Sequence, residues 1–228
     1  MSREVFPGWY FGLPEGLRRE ACLRLLEGAG ALLGGSPAVL RYAGGEALPP
    51  VERGWACVLV EGFVRVRTGY RGYAGLRQAT LALAGPWQLV WGGRGDPPPA
   101  EALTGCAVAR FPEAALGGSG SAGAFLDLLE DLLAAYEGAA WALLPRGTRA
   151  RLSRVLALLA GRFGRELPGG AVLVPLSPRR ADLAEMAATT RESMTRAVAE
   201  LVERGTLEVG GRGILIEDAA ELAALAGD

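Results

Sequence analysis

Histidine, lysine and asparagine are absent from all 228 residues. Without imidazole there is no Ser-His-Asp or Cys-His relay, and the usual nitrogen ligands of zinc, copper and non-haem iron are missing. Cysteine is sparse. Cys22, Cys57 and Cys106 stand far apart and form no CxxC pair, and an iron–sulfur cluster normally needs four thiolates. With no electropositive, exposed context around any of them, they read as buried apolar thiols. No run approaches the roughly 18 uninterrupted apolar residues of a bilayer span. The opening MSREVFPGWYFGLPEG also lacks the charged, apolar, small-residue order of a secretory signal. These absences predict a cytoplasmic protein without a membrane partner, metal or catalytic relay.

What the chain has is arginine as its only basic side chain, and a net charge of −1. A polyanion would therefore be held by placed arginines rather than by a general field. Their placement is uneven. Arg146, Arg149, Arg151, Arg154, Arg162 and Arg165 stand against Glu166 alone over 145–168, whereas the chain from Arg179 onward is net acidic.

Hydrophobic pattern divides the chain. LRREACLRLLEGAGALL, residues 17–33, predicts a helix with Leu17, Ala21, Leu25 and Leu32 inward. Short β-prone runs between glycines follow, from AVLRYAGGEAL to GCAVARF. In Val64-Arg65-Val66-Arg67 the alternation turns valines in and arginines out. Regularly spaced short strands indicate a small barrel or sandwich. A metal-dependent cupin enzyme would use such strands, but its histidine ligands are missing. Between Gly85 and Gly105 the prolines at 97–99 predict a loop. Over 121–144 the apolar residues Phe125, Leu128, Leu129, Leu132, Leu133, Tyr136, Ala140 and Leu143 make one helical stripe, with Asp127, Glu130, Asp131 and Glu137 mostly opposite. That stripe fits either packing within its own domain or a seam with a second copy.

The region from 179 has the most specific pattern. RRADLAEMA reads as a short helix and ATT as a tight turn. A second helix follows, capped by Thr190 or by Thr189 with Glu192, and stopped at Gly205. Met194, Ala197, Val198 and Leu201 make its buried stripe. At about 100° per residue, Glu192 and Arg196 then point away from the core, flanked by Ser193 and Thr195, with Arg191 on the first turn. An arginine fork can donate twice to guanine, a glutamate can accept from cytosine, and hydroxyls and helix N-terminal amides suit phosphates. Glu192 and Arg196 also have the spacing of an ordinary exposed ion pair. TLEVGGRGILIED adds a hairpin with Arg212 at its tip. Helix, turn, helix and hairpin make a winged helix.

With these motifs in view, the chain resembles the CRP/FNR superfamily of bacterial transcription regulators over most of its length. DLAEMAATTRESMTRAVAELVERGTLEVGGRGILIED is similar to that family's DNA-binding signature, RLSRVLALLAGRFG to its hinge-side helix, and GGEAL with VLVEGFVRVRTG to its glycine-marked β-roll. The resemblance implies an α+β fold. An N-terminal β-roll (jelly-roll-like) domain would occupy 1–120, a long dimerisation helix 121–144 and a C-terminal winged helix-turn-helix domain 145–228. It implies a homodimer on double-stranded DNA, an activator at a palindromic TGTGA-like site, with RNA polymerase as a further partner. Base reading would fall to Arg191, Glu192 and Arg196, and backbone contacts to Thr189, Thr190, Ser193, Thr195, Arg180 and Arg212. The dimer seam would use Phe125, Leu128, Leu129, Leu132, Leu133, Tyr136 and Leu143. LSPRRADLA is longer than the family's corresponding stretch. The family's cyclic-nucleotide cassette is not matched either, because Arg94 precedes Glu101 and three prolines intervene. No cofactor is expected, and any effector would be another small molecule. The alternative is a small-molecule sensor or protein-interaction module whose winged helix does not read DNA.

Overall fold

The computed structural model describes residues 12–72, 75–91, 99–117 and 121–227. Arg94, Pro97 and Pro98 lie outside these. Two compact units are present, one from Gly12–Gly69 with Leu81–Ala135, the other built on the chain from Tyr136 onward. Among the described residues, no helix is long and apolar enough to cross a membrane.

The first unit opens with α1 (Glu15–Leu33). The strands are β1 (Ala38–Tyr42), β2 (Ala47–Leu48), β3 (Trp55–Glu61), β4 (Val64–Gly72), β5 (Gly75–Ala84), β6 (Gln88–Trp91), β7 (Ala100–Ala102) and β8 (Cys106–Pro112), and α2 (Ala122–Leu143) follows. They form two four-stranded sheets, ordered β1-β8-β3-β6 and β2-β7-β4-β5. The first sheet is buried on both faces. Ala56 and Val58 of β3 join Ala21, Cys22 and Leu25 of α1 and Ala124 and Leu128 of α2. Cys57 and Leu59 join Val64, Val90, Ala102 and Val108. A strand covered on both sides reads as a continuous apolar run, which is why WACVLV shows no alternation.

Several expectations change here. Leu17 and Leu32 are exposed, and α1 instead buries Arg18, Ala21, Cys22, Leu25 and Ala29. The segment 85–105 is not one loop, since it holds β6 and β7. Val64 and Val66 face inward as expected, but Arg65 is only 3% exposed. Its Nη2 donates to Glu101 Oε1 at 2.8 Å, and Arg67 donates to the other oxygen. The reason is register: Arg65 lies directly across from Glu101 where β4 pairs with β7. Asp131 is buried rather than outward, bonded to the Leu13 N–H at 2.9 Å and to the Gln88 amide, with Arg18 3.7 Å away.

All three cysteines are buried and free, as the sequence predicts. Burial, reinforced by Asp131 and partly offset by Arg18, pushes the Cys22 thiol from 9 up to about 12. Burial likewise raises Cys57 to about 11, against the pull of Arg110. A raised pKa favours the folded state below the unfolded value, and that advantage disappears as pH climbs through the folded value. Stability should therefore fall steadily between pH 9 and pH 12. The native chain should also leave its thiols unlabelled by iodoacetamide at neutral pH until urea unfolds it. Rapid labelling of the folded chain would contradict this burial.

The second unit comprises α3 (Thr148–Phe163), β9 (Arg165–Glu166), β10 (Val172–Val174), α4 (Arg180–Met186), α5 (Arg191–Glu203), β11 (Leu207–Gly210), β12 (Gly213–Ile216) and α6 (Ala219–Gly227). The hairpin does not stand alone: its sheet runs β11-β12-β10-β9, so the strands before the helices brace it. The helix α6 has no counterpart in the sequence reading. Asp218 caps it by accepting the Glu221 N–H at 2.8 Å, and Leu222, Leu225 and Ala226 are buried.

Candidate nucleic-acid interface

Helix α5 forms where the periodicity places it. Met194, Ala197, Val198 and Leu201 are buried at 0–5% exposure. Thr190, not Thr189, is the cap, its hydroxyl oxygen accepting the Ser193 N–H at 3.2 Å. The helix ends in a Schellman turn. Gly205 has φ +72, its N–H reaches Val202 O and the Thr206 N–H reaches Leu201 O, each at 3.0 Å. Ala188 sits in the turn between α4 and α5 with φ +46, a left-handed conformation unusual for a residue with a Cβ.

With that stripe buried, Arg191, Glu192, Thr195 and Arg196 are all exposed. Glu192 and Arg196 form no ion pair with each other. The Arg196 guanidinium leans on Ser193 Oγ at 3.5 Å, the limit of a hydrogen bond. The Glu192 carboxyl is held below its ordinary range, chiefly by its own backbone N–H and then by the Thr190 hydroxyl. It is thus an acceptor at neutral pH, while both arginines are donors free to extend. Arg212 is exposed at the hairpin tip, and Ser177 Oγ donates to Gly210 O at 2.6 Å beside that tip.

The remaining expected backbone contacts are less uniform. Thr189 shares a hydrogen bond with Thr148 on α3 at 3.1 Å, and the Thr195 hydroxyl donates back to Arg191 O at 2.8 Å. Arg180 is half-buried at the start of α4. Arg179 grips Asp182 through Nε and Nη2 at 3.0 Å each, and its backbone N–H is capped by the same carboxylate.

Sequence reasoning missed the residues that hold this face still. Arg149 of α3 donates to Glu200 of α5 at 2.6 Å. Arg151 donates to Pro145 O at 2.6 Å and reaches Ala187 O and Ala188 O, in the turn that follows α4, at 3.4 and 3.3 Å. Arg154 donates to Ala226 O and Trp141 O and stacks on the Trp141 ring. Arg149, Arg151 and Arg154 of the basic run over 145–168 are therefore internal buttresses, while Arg146 and Arg165 of that run are exposed, as are Arg191 and Arg196 of α5 and Arg212 at the hairpin tip.

This arrangement matches a known family model. Residues 150–225 match the Crp-like helix-turn-helix domain. A CRP-family transcriptional regulator from Thermus thermophilus has the same architecture, with TM-score 0.62 and 25% identity over 83% of this chain and 97% of that one. The stretch 150–225 is a Crp-like helix-turn-helix domain. The fold is also similar to that of FixK2 of Bradyrhizobium japonicum, with TM-score 0.65 at 20% identity, covering 83% of this chain and 96% of that one. A CooA mutant of Carboxydothermus hydrogenoformans aligns with TM-score 0.66 at 20% identity, covering 83% and 88%. A curated relative, the CRP-like cAMP-activated global transcriptional regulator of Mycobacterium tuberculosis, is 33% identical over 73 residues, 32% of each chain. The chain thus matches about a third of that relative's length.

Glu101, which the sequence sets beside the position of a cyclic-nucleotide cassette, is engaged by Arg65 and Arg67.

Proposed function

We propose that this chain is a sequence-specific DNA-binding transcription regulator of the CRP/FNR type, acting as a homodimer on twofold sites with TGTGA-like half-sites, and that it is an activator. The observation carrying this reading is the exposed Arg191–Glu192–Arg196 set on the first turns of α5, where a recognition helix meets base edges in the major groove. The wing's Arg212 and the α5 hydroxyls supply phosphate contacts.

Selection from a random duplex pool tests it. The full-length chain should enrich a palindrome, and binding should weaken steeply with salt. Arg196→Ala should cost about 1–3 kcal/mol at one base pair and relax preference there, leaving the other positions intact. Enrichment of no sequence at moderate salt, or salt-insensitive binding, would overturn the reading in favour of a protein-binding module.

For the homodimer, the exposed side of α2 is revealing. Leu128 is fully buried in its own unit and has no surface for a second copy, while Phe125, Leu129 and Leu132 pack partly on the same core. Leu126 and Leu133 are 60% and 58% exposed. Leu126, Leu129, Leu133, Tyr136, Ala140 and Leu143 follow the spacing of coiled-coil a and d positions. The proposed seam therefore leaves out Phe125, Leu128 and Leu132, which pack on the core, and takes in Leu126 and Ala140. Sedimentation of the wild-type chain should give a dimer, and Leu126→Glu with Leu133→Glu a folded monomer. A dimer unaffected by both charges would place the seam elsewhere.

A further inference from the structure

The tip of the β11–β12 hairpin has little side chain of its own to hold it. The two strands pair as far as Gly210 and Gly213, which leaves Gly211 and Arg212 as the turn. Three of these four residues are glycines, and glycine loses more conformational freedom on ordering than any other residue. A Cβ at Gly210 or Gly211 would meet nothing within 4 Å, so open space surrounds the arm that enters the turn. Arg212 is exposed and makes no hydrogen bond or ion pair among the described residues. A guanidinium on so loose a tip would have to give up that freedom on meeting a phosphate.

One side chain from outside the hairpin reaches this tip. Ser177 Oγ donates to Gly210 O at 2.6 Å. The loop that carries Ser177 is itself anchored. It leaves β10 through a tight turn in which the Leu176 N–H reaches Val174 O at 2.8 Å. Leu176 and Pro178 are buried, while Ser177 between them is exposed. A residue before proline is held extended, and successive residues of an extended segment face opposite ways, so burial of both neighbours turns Ser177 outward. The same loop meets the other arm of the turn, where Gly213 lies so close to Val174 O that a Cβ would overlap it. Residues 174–177 thus hold both ends of the turn, and they lead directly to α4.

We propose that Ser177 is a positioning residue for DNA binding, its hydroxyl latching the hairpin tip so that Arg212 is already aimed when a phosphate arrives. This rests on the DNA-binding reading above and deepens it by tying the hairpin to the loop before α4. A contact whose geometry is set beforehand costs less freedom to make. Ser177 and Gly210 are both exposed, so water can replace the hydroxyl at Gly210 O and its removal leaves no buried group unpaired. The latch therefore contributes little to folding and acts on binding.

Fluorescence anisotropy of the full-length chain on a duplex with two inverted TGTGA half-sites, across a salt series, tests it. Ser177→Ala should weaken binding about threefold to tenfold, the range of one net hydrogen bond, with the circular dichroism and urea midpoint of the wild type. It should also flatten the slope of log affinity against log salt by about 0.9 per bound chain, the contribution of one phosphate contact. Arg212→Ala should do the same, and adding Ser177→Ala to it should have no further effect, since both act through one contact. Ser177→Thr, which keeps the hydroxyl, should restore affinity and slope together. An unchanged affinity in Ser177→Ala, a loss without a change of slope, or losses that multiply in the double variant would each overturn the latch while leaving DNA recognition standing. A wild-type chain that binds neither this duplex nor a random-sequence one would instead overturn the DNA-binding reading, and the latch with it.

Discussion

Replacing Asp131 by alanine should destabilise the first unit by about 3–5 kcal/mol, the cost of removing one partner from a buried ion pair. Asp131 and Arg18 are 1% and 2% exposed, so water cannot take over for the lost carboxylate. The loss reaches further than the pair, because Asp131 also accepts from the Leu13 N–H ahead of α1 and from the Gln88 amide at the start of β6. Gln88 in turn accepts the Gly85 N–H at 2.6 Å. Alanine would remove an acceptor from a buried guanidinium, an amide and a backbone N–H at once. Arg18→Met combined with Asp131→Leu should recover most of the stability, since an apolar pair of similar volume removes the charges together. Urea unfolding of both single variants and the double variant gives the coupling directly. A cost below about 1 kcal/mol for Asp131→Ala would mean that the pair is hydrated despite its burial.

What was legible in the sequence follows from how local each interaction is. The buried stripe of α5, its Thr190 cap and its Gly205 stop depend on residues within a turn or two of one another, so periodicity alone locates the outward face. The buried polar contacts are not of this kind. Asp131 lies 113 positions from Arg18, and Glu101 36 from Arg65, and nothing in a helical or alternating pattern marks such partners. The same limit explains Leu128 and Leu126. Both are leucines on one helix, and only the placement of β3 and α1 decides which becomes core. The arginines of α3 resemble a phosphate-binding run in one dimension, but most of them turn inward to carbonyls and carboxylates.

The hairpin after α5 should be equally intolerant at Gly213. Its φ is +143, and a Cβ built there would lie 2.1 Å from Val174 O and 3.1 Å from Val174 C. Both are backbone atoms of β10, fixed by the Val174–Ile214 register, so no side-chain rotation can relieve the clash. Backbone strain of this kind costs of order 1–3 kcal/mol by itself, and separating β12 from β10 would add the loss of Ile214 and Ile216 from the core, both fully buried. Gly213→Ala should therefore cost about 3 kcal/mol or more, and Gly211→Ala, whose Cβ meets nothing within 4 Å, should stay within about 0.5 kcal/mol. Gly213 is what lets a four-residue strand lie flush between β11 and β10 while Arg212 stays outside at the tip. If urea midpoints of the two alanine variants coincide, the wing is not braced by β10 in solution. If only Gly213→Ala loses stability, the same close approach that fixes the sheet also aims the tip arginine relative to α5.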